Sequence, residues 1–527
     1  MILCVLTDIG RGISHIAGGR EEDDNIADIV VKEKEQIGMI YSFHHYNYWM
    51  KGGVETGLVH RAKIFRDLGL DAKFVFATTF PEHNIWDEMQ ALGFIDSEVL
   101  WMYSFFTDFR PSPVTYTLEQ LEKTFSGENY IFRREGDIAK FQFPDLNVYY
   151  IVYMTDEENN FVHRVVMISN GNLIRKDYYT CHRIYSEYYV PTEGQARLYL
   201  RRFFNEDGSA AYEELIDSNM VIYKFPDRML YSREELVEYM MRCLQLTERD
   251  VVLIDGEWGI IDRAAFLQNS FPAKTGFVVH LNHSRYHDKQ HILWNEVFEY
   301  AFSHPDKINF FITNTEMQSR LLREQLQYYK GIDARVETIP VASIDRIRVP
   351  DKKRKKHSLI TAGRFQADKR TDWLIEAAVM AKKELPDLTL DIYGSGEEEN
   401  QLRELIEKLD CSSYVHLCGF RKLDEIYQNY DAYVSASYGE TFGITLLEAV
   451  GSGLPIVGFD RPYGIQNFVD EGENGFRITD MSAKGLADGI IRLFKEADLE
   501  AFRRHSYRKA EAYLETEVGK KWKEILS

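Results

Sequence analysis

Two glutamates, Glu440 and Glu448, stand eight residues apart in the segment ETFGITLLEA. We expect Glu440 in the loop after the strand AYVSAS, and Glu448 two turns into the following helix. Backbone N–H groups at the start of a helix suit a phosphate or a sugar hydroxyl. Here those amides would come from Thr441, Phe442, Gly443 and Ile444. A sugar-nucleotide site is one interpretation, with Glu448 reaching a ribose; a capping glutamate and a solvated one are the other.

Two cations follow the first strand of the same region, SLITAG (358–363). Arg364 and Lys369 lie in GRFQADKRTD, with four residues between them. Side chains with permanent positive charge at the carboxyl end of a strand could neutralise a diphosphate leaving group. Ordinary surface charge is the alternative, and the nearby glutamates favour the functional interpretation.

An N-terminal segment offers a second set of candidates. Gly52 and Gly53, in MKGGVETG, are expected between a strand and a helix, where glycines let the backbone approach a phosphate or a sugar ring. A plain turn would explain them as well. His280 ends the strand FVVH, and His283 lies further into the loop; a histidine there could donate to a substrate oxygen or shuttle a proton. Structural histidines are the alternative.

The elements that position these residues are clearest in the C-terminal third. Short β-rich runs alternate with amphipathic helical ones, which predicts βαβ units and a parallel sheet covered on both faces. The predicted strands are 358–363, 388–394, 415–419, 432–437 and 455–459, and the helices are 371–385, 398–409, 423–430 and 442–450. We therefore predict a Rossmann-like domain over 351–510, preceded by the solvated linker DKKRKK and followed by a C-terminal helix, 511–527.

A second Rossmann-like domain is predicted in two pieces, 38–84 and 246–350. Its expected strands are 38–44, 72–78, 251–256, 277–283, 309–315 and 336–341, with a helix over 54–68. Between the pieces, 85–245 alternates aromatic or β-branched residues with polar ones, which predicts an antiparallel β-meander insertion. Its many tyrosines and phenylalanines are interpreted as buried sheet faces or as a surface for a large acceptor. Residues 1–37 form an acidic and lysine-rich N-terminal extension.

Composition limits the class of protein. The chain has 527 residues, a formal charge of −20, 45% hydrophobic and 28% charged residues, which excludes a wholly disordered chain and argues against nucleic acid as a partner. Five cysteines without metal-ligand spacing predict reduced thiols. With neither a signal peptide nor an apolar run long enough for a span, we expect a cytoplasmic protein, with peripheral attachment at the inner face of the cell membrane left open.

Taken together, the Arg-x4-Lys pair, the Glu-x7-Glu pair, the glycine loop and the strand-end histidine resemble the retaining GT-B glycosyltransferases of family 4. The resemblance extends to the GtfA subunits of bacterial accessory-Sec systems over about 38–527. It is carried by GNLIRKDYY (171–179), SEYY (186–189), FFNEDG (203–208), HILWNEVFEY (291–300), SLITAGR and DIYGSG. The insertion is shared with the α-N-acetylglucosaminyltransferases of wall teichoic acid, whereas residues 1–37 depart from the family.

The resemblance implies a role for each candidate. Arg364 and Lys369 would bind the diphosphate of UDP, Glu440 and His280 would contact the sugar, and Glu448 would hold the ribose. The remaining donor-binding positions would be Gly52, Gly53, Val54 and Glu55 in the N-terminal loop, Arg421 and Lys422 beside the nucleotide, and Thr441, Phe442, Gly443 and Ile444 along the sugar and phosphates. No metal cofactor is expected, because the family uses cationic side chains instead.

The implied reaction is transfer of GlcNAc or Glc from a UDP-sugar to serine and threonine hydroxyls of a serine-rich repeat adhesin, the first step of its O-glycosylation. A GtfB-like partner subunit or a homo-oligomer is expected. Three alternatives stay open: a wall teichoic acid α-glycosyltransferase with the same donor site, a non-catalytic GT-B partner subunit, and a UDP-sugar epimerase. The intact Arg364, Lys369, Glu440 and Glu448 argue against the non-catalytic partner, and the insertion is unexplained for an epimerase.

Overall fold

The computed structural model describes residues 37–44, 52–79, 84–109, 112–125, 127–155, 158–218, 220–256 and 263–527. The predicted N-terminal extension lies outside these ranges apart from its residue 37. The strands are β1 (Ile40–His44), β2 (Ala72–Phe76), β3 (Val99–Trp101), β4 (Ile131–Glu135), β5 (Ile138–Phe143), β6 (Val148–Met154), β7 (Val162–Ser169), β8 (Asn172–Tyr179), β9 (Arg183–Thr192), β10 (Gln195–Phe204), β11 (Ala210–Asp217), β12 (Met220–Lys224), β13 (Met229–Leu230), β14 (Val251–Gly256), β15 (Lys274–Val279), β16 (Ser284–His287), β17 (Ile292–Trp294), β18 (Phe310–Thr313), β19 (Val336–Thr338), β20 (Ser358–Ala362), β21 (Thr389–Tyr393), β22 (Val415–Gly419), β23 (Ala432–Ser435), β24 (Ile456–Phe459) and β25 (Gly475–Ile478). The α-helices are α1 (Gly53–Asp67), α2 (Ile85–Leu92), α3 (Leu118–Lys123), α4 (Arg233–Cys243), α5 (Arg263–Gln268), α6 (Glu296–Ser303), α7 (Glu316–Lys330), α8 (Thr371–Lys382), α9 (Glu399–Lys408), α10 (Ile444–Gly451), α11 (Gly464–Phe468), α12 (Ala483–Glu496), α13 (Leu499–Glu511) and α14 (Glu515–Leu526).

The N-terminal domain is built on a seven-stranded parallel sheet in the order β19-β18-β15-β14-β1-β2-β3. Apolar residues dominate its strands, as expected for a parallel sheet with helices on both faces. In register, Phe43 lies beside Ile254, and Asp255 beside Val278. The carboxyl ends of β1, β14 and β15 therefore lie side by side at one edge of the sheet.

A ten-stranded antiparallel sheet follows β3, with β4 to β13 each paired to the next along the chain. Strand β5 alternates exposed and buried residues, as the period-two pattern predicts. A ladder of stacked rings is buried within this sheet and belongs to the core of the N-terminal domain: Tyr178, Tyr185, Phe203, Tyr212 and Phe225. These aromatic residues are core residues, as the first interpretation of the insertion held.

The predicted start of the insertion at residue 85 is wrong. Residues 85–92 form α2, and residues 99–101 form β3, which pairs in parallel with β2 so that Phe74 lies beside Val99. These elements complete the parallel sheet before the antiparallel one begins. The sequence did not reveal this boundary, because aromatic residues occur on both sides of it: Trp86 and Trp101 are core residues of the domain with the parallel sheet.

The C-terminal domain has a six-stranded parallel sheet in the order β22-β21-β20-β23-β24-β25. The predicted helix at 423–430 is wrong: only a 3-10 turn, Tyr427–Asn429, forms there. The chain must run from the end of β22 back to the start of β23 in residues 420–431, and an α-helix, which advances only about 1.5 Å per residue, would shorten its reach. The linker is also less solvated than expected, because buried Arg354 donates to the carbonyls of Tyr430 and Ser452 at 2.8 and 2.7 Å.

The chain crosses between the two domains twice, and the crossings lie together. Ile344 and Leu514 form a parallel bridge, after which α14 returns to the N-terminal domain. There Trp522 packs edge-on against Phe65 at 5.1 Å and Lys63 pairs with Glu515 at 2.6 Å. The N-terminal core therefore includes residues from the far end of the sequence.

Candidate functional site

The loops after β20 and β23 meet in a small polar pocket of the C-terminal domain. Lys369 ends the 3-10 turn Ala367–Lys369, and its Nζ lies 2.6 Å from Glu440 Oε1 and 3.3 Å from Ser437 Oγ. The Tyr438 N–H donates to the Asp368 carbonyl at 2.8 Å and ties the two loops together. A cation and a carboxylate predicted from separate motifs are thus direct partners.

Arg364 lines the same pocket, together with Gly363 and Tyr433. It follows β20 by two residues and is exposed, whereas Lys369 is mostly buried. The two cations and Glu440 therefore surround one concave surface at the carboxyl ends of β20 and β23. In such an arrangement the two cations can bind an anionic oxygen, and the neighbouring carboxylate can accept a hydrogen bond from a hydroxyl.

The N-terminus of α10 opens toward this region through Gly443. This glycine has φ +86°, and a Cβ there would lie 2.7 Å from Leu446 Cδ1, so the turn requires glycine. No described side chain caps this helix end. Phe442 is buried, whereas Thr441 and Ile444 are half-buried at the opening. The amides at 441–444 thus have the predicted location and lack a protein cap.

The N-terminal domain faces this helix end with the start of α1. A Cβ on Gly53 would lie 3.4 Å from Ile444 Cδ1, so the two helix N-termini approach each other across the cleft. The Gly52 N–H donates to Glu55 Oε2 at 2.8 Å. Glu55 is buried, and Val54 is half-buried. The carboxylate of Glu55 therefore caps its own helix, a use that its predicted role did not include.

Glu448 lies on the second turn of α10, half-buried beside the fully buried Tyr427. Burial raises the pKa of its carboxyl to about 7; the Tyr427 hydroxyl and the Arg348 charge oppose the shift, and the Asp424 charge adds to it. A carboxylate kept in this environment is costly unless it meets hydrogen-bond donors. Arg421 and Lys422 are exposed beyond the end of β22 and are not among the residues lining the pocket.

His280 belongs to a buried charged cluster centred on Asp255. Arg61 donates to both carboxylate oxygens of Asp255, at 2.9 and 3.0 Å, and to Ser42 Oγ at 3.0 Å. His280 Nε2 also contacts Asp255, and His44 Nδ1 lies 3.3 Å from it. All of these residues are at most 4% exposed. The cluster sits where β1, β14 and β15 end, and Arg61 reaches it from α1.

The charge state of Asp255 fixes the imidazole of His280. Burial alone would raise the pKa of Asp255, but the Arg61 guanidinium and the hydrogen bond with His280 hold it well below its ordinary value. An ionised carboxylate only accepts, so His280 Nε2 carries the proton, and Nδ1 is left buried without a hydrogen-bond partner among the described residues. Burial lowers the pKa of His44 to about 3, so this ring stays neutral.

Sequence reasoning missed Arg61 and Asp255. The only signal was an aspartate in the otherwise apolar strand VVLIDG and an arginine in a helix, separated by 194 positions. His283 is also buried; its Nε2 lies 2.8 Å from Gln325 Oε1, and burial lowers its pKa to about 4. His280 and His283 thus each have a hydrogen-bond partner within the protein, Asp255 and Gln325 respectively.

Two wider properties of the described chain bear on the site. In these ranges, no three His, Cys, Asp or Glu side chains are grouped as a metal site would require. Among the described helices, none is long and apolar enough to cross a membrane.

Two family models match the chain. The model described as the GtfA extended beta-sheet domain matches residues 131–227, which hold β4 to β12 of the antiparallel sheet, and that of glycosyl transferases group 1 matches residues 343–511. The expected GT-B architecture, two Rossmann-like domains with an antiparallel insertion in the first, is confirmed by structures of this class.

Individual proteins match over nearly their whole length. The GtfA subunit of the UDP-N-acetylglucosamine–peptide N-acetylglucosaminyltransferase of Streptococcus gordonii is 41% identical over 91% of this chain and 96% of its own. The pneumococcal O-GlcNAc transferase GtfA, solved with UDP and GlcNAc, has a TM-score of 0.87 and 38% identity over 93% of this chain and 98% of its own. The GtfA/B complex contains a chain with a TM-score of 0.87 and 40% identity, covering 93% and 99%. The poly(ribitol-phosphate) α-N-acetylglucosaminyltransferase of Staphylococcus aureus is 22% identical over 86% of this chain and 91% of its own.

Proposed function

Because the chain belongs to the family of GtfA subunits of UDP-N-acetylglucosamine–peptide N-acetylglucosaminyltransferases, we propose that it transfers GlcNAc from UDP-GlcNAc to serine and threonine hydroxyls of a polypeptide. The observation that carries the proposal is the Lys369–Glu440 pair in a pocket that Arg364 also lines. The constellation expected of an active transferase is intact, which disfavours a non-catalytic subunit.

The cations act on the leaving group. As the bond between the sugar and UDP breaks, negative charge builds on the diphosphate, and Lys369 and Arg364 stabilise it where it develops. The uncapped amides at the start of α10 add donors that need no reorganisation. Gly53 leaves the opposite wall of the cleft without a side chain, so the phosphates can pass between the two helix ends.

Polar groups hold the two ends of the donor. Glu440 accepts hydrogen bonds from sugar hydroxyls while Lys369 holds its carboxylate through Oε1. Glu448, which is half-buried beside Tyr427, accepts hydrogen bonds from the ribose hydroxyls. Arg421 and Lys422 follow β22, two strands from β20, and act on the nucleotide through long-range charge.

Transfer proceeds with retention. Departure of the diphosphate gives the anomeric carbon oxocarbenium character, and the acceptor hydroxyl attacks from the face that the leaving group vacates. The leaving phosphate oxygen takes the hydroxyl proton, so UDP leaves carrying that proton and no protein base is consumed. We place His280 against the sugar, and its hydrogen bond to Asp255 through Nε2 fixes the orientation of its ring. Most of the acceleration comes from positioning and charge stabilisation.

The acceptor is a serine-rich repeat polypeptide, and a GtfB-like subunit assists its binding. Support comes from the GtfA/B complex and from the match of residues 131–227 to the GtfA extended beta-sheet domain. The wall teichoic acid alternative shares the fold with a much lower identity, 22% against 41%. We therefore assign a peptide acceptor, as in the relatives with the higher identity.

The test is UDP release with UDP-GlcNAc or UDP-Glc, with and without a serine-rich peptide, read together with the intact mass of the peptide. We expect peptide-dependent UDP release from UDP-GlcNAc and a mass gain of one N-acetylhexosamine per modified residue. The matched control peptide has alanine at every serine and threonine. Labelling of poly(ribitol-phosphate) instead of the peptide, with and without an added GtfB subunit, would contradict the proposal.

A further inference from the structure

Tyr463 has a backbone conformation that residues other than glycine rarely adopt. Its φ is +70° and its ψ −93°, close to the rarer form of γ-turn, and it stands directly before α11. For a bulky residue this conformation is strained and persists only where surrounding contacts enforce it. Tyr463 is 8% exposed. The strain is therefore held by packing, and its contacts indicate what it positions.

The first of these contacts is with Glu440. Residues 440 and 463 form a parallel bridge, and the Gly464 N–H donates to the Glu440 carbonyl at 2.9 Å. A Cβ on Gly464 would lie 2.4 Å from Glu440 Cβ, so the two backbones are in close contact. The turn at Tyr463 sets where this backbone runs, and with it where Glu440 presents its carboxylate to Lys369.

The second contact crosses to the N-terminal domain. The rings of Tyr463 and His283 are 6.4 Å apart between centroids. His283 is 1% exposed and is fixed from behind by Gln325, at 2.8 Å. Because burial lowers the pKa of His283 to about 4, the contact is between two neutral rings at physiological pH. The tyrosine thus rests on a rigid part of the opposite domain.

We propose that Tyr463 is a positioning residue of the transfer site: its left-handed turn holds Glu440 against Lys369, and its ring, packed on His283, keeps the two halves of the cleft in register. The inference rests on the proposed function for its kinetic consequence. It assigns two separable tasks to one residue, the backbone serving the donor sugar and the ring serving the alignment of the domains.

Three substitutions separate these tasks. Tyr463→Gly keeps the turn, since glycine adopts positive φ freely, but removes the ring. We expect its KM for UDP-GlcNAc within about threefold of the parent and its kcat lowered about tenfold. Tyr463→Ala removes the packing that enforces the turn, so Glu440 shifts; KM rises and kcat/KM falls about 100-fold, the loss typical of a misplacement of about 1 Å. Tyr463→Phe keeps both features and stays within about twofold.

Asp410→Ala is the matched control, because Asp410 has φ +48° in the same domain at the opposite, amino-terminal end of β22. It changes thermal stability without changing either kinetic constant. Crystal structures of the alanine and glycine variants give a readout independent of activity: the 2.6 Å contact between Lys369 and Glu440 is lost with alanine and kept with glycine.

The kinetic and structural readouts also separate the two hypotheses. If the unsubstituted protein does not release UDP from UDP-GlcNAc, the proposed function fails, while the crystal structures still decide the positioning role. Kinetic constants for Tyr463→Ala within twofold of the parent, or a glycine variant as impaired in KM as the alanine variant, would overturn the positioning role. So would an unchanged Lys369–Glu440 contact in the alanine variant.

Discussion

Arg61 and Asp255 form two parallel hydrogen bonds, 2.9 and 3.0 Å long, inside a cluster closed to solvent. The pair links α1 to β14, two elements on either side of the antiparallel insertion in the sequence. The same carboxylate also accepts from His280 Nε2. This ion pair therefore contributes both to the stability of the N-terminal domain and to the orientation of His280 at the strand ends.

Removing one partner of this pair is expected to be strongly destabilising. Asp255→Ala leaves the buried guanidinium of Arg61 without a counter-charge, which costs about 3–5 kcal/mol in free energy of unfolding. The measurement is chemical denaturation. The double variant Arg61→Met/Asp255→Leu is the control, and we expect it to recover a large part of the loss because no buried charge remains. Equal stability of Asp255→Ala and the parent would disprove the account.

The pH dependence of this loss follows from the sign of the shift. The pKa of Asp255 is lower in the folded than in the unfolded protein, so its stabilising contribution is complete above its unfolded pKa and declines as the pH falls through its folded one. The difference between the parent and Asp255→Ala should accordingly be constant from pH 5 to 8. A difference that grew steadily over this range would point to another titrating group.

Lys369 and Arg364 should affect turnover far more than stability. Lys369→Ala removes a charge that stabilises the departing diphosphate, and we expect kcat to fall about 10²–10³-fold, as for other transition-state donors. Arg364→Ala should act in the same direction. Lys353→Ala, an exposed lysine in the linker, is the control for loss of one positive charge. Unchanged turnover in Lys369→Ala would exclude the leaving-group role.

Glu448 predicts a proton exchange on donor binding. Its pKa is about 7 in the unliganded protein, and hydrogen bonds from the ribose to the carboxylate would lower it. UDP binding near pH 7 should therefore release protons, measured by calorimetry in buffers of different ionisation enthalpy. Glu448→Gln should abolish this release and weaken UDP binding. Proton release that persists in the glutamine variant would assign it to a different group.

Glu448 also makes a prediction for stability. Its folded pKa is above its unfolded value, so the unfolded state loses its proton first and stability falls as the pH rises from about 4.5 to 7. Glu448→Gln lacks this decline. Relative to the parent, the glutamine variant should be more stable at pH 8 than at pH 5, as measured by thermal unfolding at both values. The opposite trend would mean that the carboxyl is already satisfied within the protein.

Two glycines of α1 should respond in opposite ways. A Cβ on Gly53 meets Ile444 at 3.4 Å, an ordinary contact, so Gly53→Ala should leave stability nearly unchanged while raising KM for UDP-GlcNAc by narrowing the cleft. A Cβ on Gly57 would lie 2.4 Å from Val341, and Gly57→Ala should cost about 1–3 kcal/mol of stability. Each variant is the control for the other. A destabilised Gly53→Ala with an unchanged KM would contradict the assignment.

The parts of the fold that the sequence could predict are those that depend on patterns of neighbouring residues. Strand–helix alternation predicts the parallel sheets, and because parallel strands end at a common edge, Arg364, Lys369 and Glu440 could be expected together. Period-two alternation likewise predicts the antiparallel sheet. The boundary at residue 85 failed because α2 and β3 are short and aromatic, and their membership depends on pairing with β2.

The rest depends on contacts between distant residues. Arg354 looked like one charge among many in the linker, and only the fold brings the Tyr430 and Ser452 carbonyls to it. Asp255 and Arg61 lie on opposite sides of the insertion in the sequence, and only the folded N-terminal domain brings them together. The positive φ of Tyr463 has no sequence signature, since tyrosine is not a residue that favours it. These features depend on the tertiary structure.

The return of α14 to the N-terminal domain has a consequence for synthesis. Trp522 and Leu526 belong to the same core as Phe43 and Phe65, yet they leave the ribosome more than four hundred residues later. At about 5–20 residues per second, the early sheet waits tens of seconds for the helix that covers α1. During that interval Phe65 and its neighbours present an uncovered apolar face, so the nascent chain is open to chaperones until its final helix docks.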